Sequence, residues 1–199
     1  MSKKQLFALM LSVTLATSGA VAEVTPGPLD AESRGSASQP DAEDKAIRHA
    51  LEQFRTTQVP LSRAMAIAER LHNGSRTADI MFEVSGSPAY RVRTVKNERV
   101  WENVIDANTG KITEKEVASS LKELDREDLA NIIALQWIKQ ELSDAVQIAE
   151  KAALGNALAG GLIKQDGKLN FVIVIASGDS LKEVTLEPPK VPKQGPTRR

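Results

Sequence analysis

Leu61-Ser62-Arg63-Ala64-Met65-Ala66-Ile67-Ala68-Glu69 returns later in the chain as Leu142-Ser143-Asp144-Ala145-Val146-Gln147-Ile148-Ala149-Glu150. Six of the nine positions are identical, at an offset of 81 residues. At the same offset Gly74 meets Gly155, Ala78 meets Ala159, Gly86 meets Gly167, Tyr90 meets Phe171 and Val92 meets Ile173. Val100 then meets Leu181, Ile105 meets Leu186 and Asp106 meets Glu187. A helical stripe, a strand face and turn glycines that share one spacing predict a structural unit made twice.

Each copy reads as a helix followed by strands. In the first, Ser62 is a predicted N-cap, and Ala64, Ile67, Ala68 and Leu71 fall at i, i+3, i+4 and i+7. His72-Asn73-Gly74 stops that helix. Three β-rich runs follow at residues 79–84, 89–95 and 99–106, separated by Gly86-Ser87-Pro88 and Lys96-Asn97-Glu98. Ala107-Asn108-Thr109-Gly110 turns the chain into a short strand near residues 111–113. In the second copy Ala145, Ile148, Ala149 and Ala152 form the stripe. The strand runs are 162–163, 169–176 and 181–186, closed by Pro188-Pro189. The pattern predicts an α+β fold, two helix-on-antiparallel-sheet units in tandem joined by a helical connector.

The expected organisation is a signal peptide at 1–22, a flexible linker at 23–40, an N-terminal helix at 41–58, unit one at 59–113, the connector at 114–140, a more degenerate unit two at 141–188, and a basic tail at 189–199. Ile47, Leu51 and Phe54 give the first helix its apolar side. Asp125 caps the connector helix, which carries Leu129, Ile132, Ile133 and Gln136, with Trp137-Ile138 prolonging its apolar surface. Pro, Gly, Ser and Ala dominate the linker, and such a composition buries too little surface to order itself. A unit of roughly 50 residues has a marginal core, so the two units are expected to share an interior and the connector.

The middle strands differ in a telling way. Arg91 and Arg93 alternate with Tyr90 and Val92, whereas Phe171-Val172-Ile173-Val174-Ile175 is apolar on both faces. The first unit is therefore expected to show a solvated, cationic face built from Arg91, Arg93 and Arg99, with Glu83, Glu98 or Glu102 as cross-strand partners. The Val172/Val174 face must be covered by another part of the chain, a second subunit or a ligand.

The start of the chain reads as an export signal. Lys3 and Lys4 precede an apolar stretch from Leu6 to Ala16, and Ala20-Val21-Ala22 before Glu23 is a small-x-small cleavage site. Cleavage is expected between Ala22 and Glu23. The apolar stretch is short of the roughly 20 residues a spanning helix needs, so no integral membrane segment is expected after signal removal. The chain has no cysteine, hence no disulfide and no thiolate chemistry. Loss of Lys3 and Lys4 leaves 24 basic against 26 acidic residues, which offers no electrostatic footprint for nucleic acid.

The Leu-Ser-x-Ala-x-x-Ile-Ala-Glu helix, Tyr90-Arg91-Val92-Arg93, and Val104-Ile105-Asp106-Ala107-Asn108-Thr109-Gly110-Lys111-Ile112 together resemble a PepSY domain. In that family an alanine-rich A-x-x-I-A helix precedes strands that end in a V-D-A-x-T-G-x-(I/V) hairpin. The resemblance covers residues 61–113. Residues 142–187 keep the helix and the central strand, but carry Leu186-Glu187-Pro188-Pro189 where the family has its Asp-Ala-x-Thr-Gly turn. It implies a small cystatin-like, helix-on-sheet module of exported bacterial proteins, found in propeptides of thermolysin-like metallopeptidases. An inhibitory or peptidase-regulating role follows from that resemblance.

Catalytic and ligand motifs are incomplete throughout. Asp106-x-Asn108-x-Gly110 opens like a calcium loop, but Lys111 stands where the loop needs glycine and Val117 where it needs glutamate. A turn with an Asx-type bond is the better reading. Gly155-x-x-x-x-Gly160 lacks the Lys-Ser/Thr of a phosphate loop and is read as a helix–strand connection. His49 and His72 have no metal-ligand spacing. No enzyme, metal or cofactor is expected. The expected function is non-catalytic binding or regulation in the periplasm or after secretion, through a protein or peptide partner that adds to a sheet edge or docks on the Arg91/Arg93 face. The alternative is an assembly module that dimerises through the Val172/Val174 face.

Overall fold

The protein is described here by a computed structural model covering residues 39–84, 86–165 and 168–189. The expected signal peptide with its Ala22–Glu23 cleavage point, nearly all of the linker, and residues 190–199 of the tail lie outside the described residues. The chain falls into two units, Met1–His49 and Ala50–Arg199. In the first, the described residues belong to helix α1 (Gln39–Arg55). The second holds everything that follows.

Alanine and aliphatic residues at helical spacing make α2 (Leu61–Leu71), which buries Leu61, Ala64, Met65 and Ala68. The stripe is rotated from the expected one. Leu71 is 42% exposed, and Pro60 rather than Ser62 holds the N-cap position, with no side-chain cap. His72 ends the helix, and Gly74 takes φ +81°, a left-handed turn that favours glycine.

The strands are β1 (Arg76–Glu83), β2 (Ala89–Lys96) and β3 (Arg99–Asp106), then the short β4 (Val117–Ser120). After a 3-10 turn at Leu121–Glu123 come α3 (Arg126–Leu135) and α4 (Leu142–Ala153). The chain then makes β5 (Asn156–Gln165), β6 (Lys168–Ser177) and β7 (Ser180–Leu186). A helix followed by three antiparallel strands thus occurs twice along the chain.

The expectation of two separate sheets is corrected. All strands form one seven-stranded sheet in the order β4-β3-β2-β1-β5-β6-β7. The join is the antiparallel pair β1–β5, where Asp79 meets Gly161, Ile80 meets Gly160 and Met81 meets Ala159. Pairing their open edges satisfies backbone groups that two small sheets would each leave bare. α2 packs on β1 and β2 while α4 packs on β5 and β6, and the two helices also touch. Tyr90, Val92, Ile105, Phe171, Ile173 and Ile175, all fully buried, form the layer beneath them.

The 114–140 connector is also corrected: only Arg126–Leu135 is α-helical. Asp125 caps it as expected, accepting from the backbone N–H of Glu127 and Asp128. Val117-Ala118-Ser119-Ser120 instead pairs with β3, because the β3 edge offers main-chain partners that a serine-containing helix start would not better. The loop expected between Gly155 and Gly160 is strand β5. Glycine does not break it, because Gly160 lies under Leu142 and Val146 and Gly161 faces Asp79 across the seam. A Cβ on Gly161 would lie 3.0 Å from that of Asp79.

The repeat offset survives in the hairpins and slips in the first strand. Val92 pairs with Asn103 and Ile173 with Val184, both at offset 81, but Ile80 pairs with Val92 while Gly160 pairs with Ile173. Leu154 takes the left-handed conformation at the end of α4, with φ 53°, so the second copy leaves its helix differently.

Gly155 makes the closest approach. An added Cβ would overlap the carbonyl oxygen of Ala176 and lie 2.7 Å from Ile175 Cγ2. Gly155→Ala is expected to destabilise the fold by about 2 kcal/mol, because backbone has to move. Urea unfolding of the two proteins measures this, and an unchanged midpoint would contradict it.

Candidate functional site

Alternation along β2 sends Tyr90, Val92 and Thr94 towards the helices and Arg91 and Arg93 to the opposite face. On that outer face both guanidiniums are fully engaged. Arg91 donates to both carboxylate oxygens of Glu83, at 2.8 and 3.1 Å, and to Glu102 at 2.6 Å. Arg93 donates to Asp79 at 2.7 Å and, in a two-point contact, to Asp128 in the first turn of α3. The face therefore sets four carboxylates against two arginines. It is net acidic rather than a cationic strip: the expected cross-strand pairing forms with Glu83 and Glu102, not with Glu98. The sequence pointed to Glu83 and Glu102 as partners; Asp79 and Asp128 were missed. Asp79 was readable as the residue opposite Arg93, but Asp128 arrives only because α3 folds over this face.

Arg99 is exposed at the start of β3, opposite Ser120, and does not join that network. Val172 and Val174 lie far along the same sheet face and are only 5% and 8% exposed. They neighbour Gly161 and Ala159 of β5. α3 packs on β5, burying Ile132 and Leu135. Asn131 of α3 accepts from the Lys164 N–H at 3.2 Å. Cover from within the chain is thus what these valines have. Arg76 ties the arrangement together: it donates to Glu141 at 2.8 Å and to the carbonyls of Leu135 and Gln140 at 2.6 and 3.0 Å.

Two other polar clusters lie on the helix side. The His72 ring stacks on Trp101, with centroids 3.9 Å apart, and its Nε2 is 2.9 Å from Glu116. Asn103 donates to the same carboxylate at 3.0 Å. Together they pin the segment that leads into β4. A cavity of about 300 Å³ is lined by Phe54, Val59, Tyr90, Glu150 and Asn156. Its polar groups are structural: the Tyr90 hydroxyl donates to the Val59 carbonyl at 2.8 Å, and Glu150 accepts from the Ala157 N–H at 2.9 Å. Burial pushes the Tyr90 phenol up to about 12, so it stays protonated.

The Asp106 turn forms as expected. Its carboxylate accepts from Thr109 N–H at 2.7 Å, Thr109 Oγ1 at 2.8 Å and Asn108 N–H at 3.0 Å. The Thr109 bonds hold the Asp106 carboxyl below its ordinary range. Gly110 follows at φ +70°, lying against Ile67 and Val59.

The two sheet edges differ in how they end. Beyond β3, β4 pairs with Arg99–Glu102, Thr113 donates to the Val104 carbonyl and Asp106 to that of Lys111. The whole outer rim of β3 is thereby covered. β7 is the other terminal strand, and no described strand pairs with its far side. The two-residue turn at Gly178-Asp179 closes on Ser177–Ser180, so bonded pairs alternate from there. The backbone groups of Leu181, Glu183 and Thr185 consequently point away from β6.

Residues 58–116 match the PepSY family, described as the peptidase propeptide and YPEB domain. No curated protein matches the chain. Among solved structures it is similar to a "putative lipoprotein" of Clostridium difficile 630, at 20% identity and a TM-score of 0.41, over 69% of this chain and 91% of that one. So loose a likeness says nothing of activity. Among the described residues no helix is long and apolar enough to cross a membrane, and no group of three metal-ligating side chains forms.

Burial pushes the Asp79 carboxyl up to about 6 against the opposing pull of Arg93. A folded pKa above the unfolded one means the contribution is full below about pH 4 and is lost as pH rises through 6. The chain should lose on the order of 2 kcal/mol of this contribution between those limits. Asp79→Asn, which fixes the neutral form, should flatten that slope in urea unfolding. Parallel pH profiles for the two proteins would contradict the assignment.

Proposed function

We propose that the chain is a non-catalytic binding protein of the bacterial cell envelope, made of two PepSY-like units, that recognises an extended protein segment through an open edge of its sheet. The observation that carries this reading is the contrast between the ends of the sheet, β3 covered along its rim and β7 (Ser180–Leu186) with no described strand on its far side. An extended segment gains main-chain bonds at such an edge and specificity from alternate side chains. The family description, a peptidase propeptide domain, favours a peptidase as the partner and inhibition or regulation as the outcome. The basic n-region, apolar stretch and Ala-x-Ala end of residues 1–22 support export to the periplasm or beyond.

Dimerisation through Val172 and Val174 is less favoured, since both are already buried within one chain. The Arg91/Arg93 face is less favoured for an anionic partner, since its guanidiniums are neutralised by four carboxylates.

The test is an inhibition assay of the exported chain against a thermolysin-like metallopeptidase. Saturable inhibition is expected, weakened at least about tenfold (1.4 kcal/mol) by Glu183→Pro, which removes one outward N–H and leaves the β6 ladder whole. Absence of inhibition would contradict the peptidase reading. Inhibition indifferent to Glu183→Pro but lost in Arg91→Ala/Arg93→Ala would move the site to the outer face.

A further inference from the structure

The two halves differ most where one is finished and the other is not. In the first half the chain leaves β3, makes the Asp106–Gly110 turn and lays Gly110 against Ile67 of α2. It then returns as β4 along the β3 rim. In the second half the residue equivalent to Ile67 is Ile148, and it is 48% exposed. The strand equivalent to β3 is β7, whose rim no described strand covers. Where the turn would start, the sequence has Glu187-Pro188-Pro189, with Pro192 and Pro196 beyond. Pro188 and Pro189 supply no N–H to a neighbouring strand, so these described residues are poorly made to fill the place.

We infer that Ile148 and the β7 rim form one docking site for a segment of another protein that imitates this chain's own turn and β4. This rests on the edge-recognition reading and on the duplication, and it goes further by stating what the segment must look like. It carries a small-residue turn that covers Ile148, then a short strand antiparallel to β7. The strand bonds to the backbone of Leu181, Glu183 and Thr185.

The first half also fixes the polarity required at one position. Glu116, just before β4, is held by His72 and Asn103. At the repeat offset those two are replaced by Ala153, 8% exposed, and Val184, half-buried. A carboxylate there would lose both partners and face apolar surface. The partner segment therefore has an apolar residue where this chain has Glu116. Lys182 lies beside the same place and donates to the Ala153 carbonyl at 3.1 Å, so its ammonium is already directed at the end of α4.

Two synthetic peptides test this, one with the sequence of residues 106–120 and one with Glu116→Leu in that sequence. Each is added at up to about 2 mM, since a short strand pays its full ordering cost on binding, and amide hydrogen exchange of the full chain is read residue by residue. The leucine peptide is expected to slow exchange at Leu181, Glu183 and Thr185 at least about fivefold, and to bind at least about tenfold tighter than the glutamate peptide. Ile148→Asp should abolish that protection while leaving exchange in β1 and β2 unchanged. The inference is overturned if neither peptide protects β7, if the glutamate peptide binds as well, or if protection appears along β3 through displacement of β4. A protected β7 in a chain that inhibits no peptidase would retain this site and discard only the peptidase partner.

Discussion

The seam between β1 and β5 is the constraint on which the rest depends. Two short antiparallel sheets, each with one helix, would be too small to hold a core and would leave raw edges in the middle of the molecule. Pairing Asp79, Ile80 and Met81 with Gly161, Gly160 and Ala159 removes both problems in one step. It requires β5 to be thin at that point, which is why two consecutive glycines sit inside a central strand. Gly160 gives room to Leu142 and Val146 above it, and Gly161 gives room to Asp79 below. Asp79 then holds Arg93, and Arg93 holds the first turn of α3. The segment between the halves is fastened to the seam it crosses.

Much of this was legible. The repeat placed α2 and α4 and both second hairpins, because a helical stripe and period-2 alternation are local signals. β3 was read to its ends, and the Asp106 turn was read with its Asx-type bond, since Asx turns are made by the residue itself. The illegible parts depended on partners distant in sequence. Gly155 to Gly161 looked like a loop because glycine is weak in strands, and only neighbours pressing from both faces make it fit. Residues 117–120 looked helical because the apolar pattern of α3 was extended backwards over them. The pairing of Arg91 and Arg93 with glutamates was legible, but the acidic excess was not, because Asp128 comes from 35 residues away from Arg93. Edge-to-edge joining left no local mark at all.

The two similar halves are unequal. The first half is closed: its turn covers Ile67, its short strand seals the β3 rim, and His72, Trp101, Asn103 and Glu116 fasten the return. The second half keeps the helix and the hairpin but replaces that fastening with Ala153, Lys182 and Val184 and ends in prolines. The family that residues 58–116 match is described as the peptidase propeptide and YPEB domain. Among the described residues the second copy retains the scaffold, and no strand closes the far side of β7.

Denaturant-dependent native-state hydrogen exchange tests the central claim most directly. If the β1–β5 pair makes one folding unit, the amides of Tyr90, Val92 and Ile105 and those of Phe171, Ile173 and Ile175 will converge on a single opening free energy that equals global unfolding. Two distinct free energies, with one half remaining protected while the other has opened, would show that the seam joins two independent folds and would overturn the account.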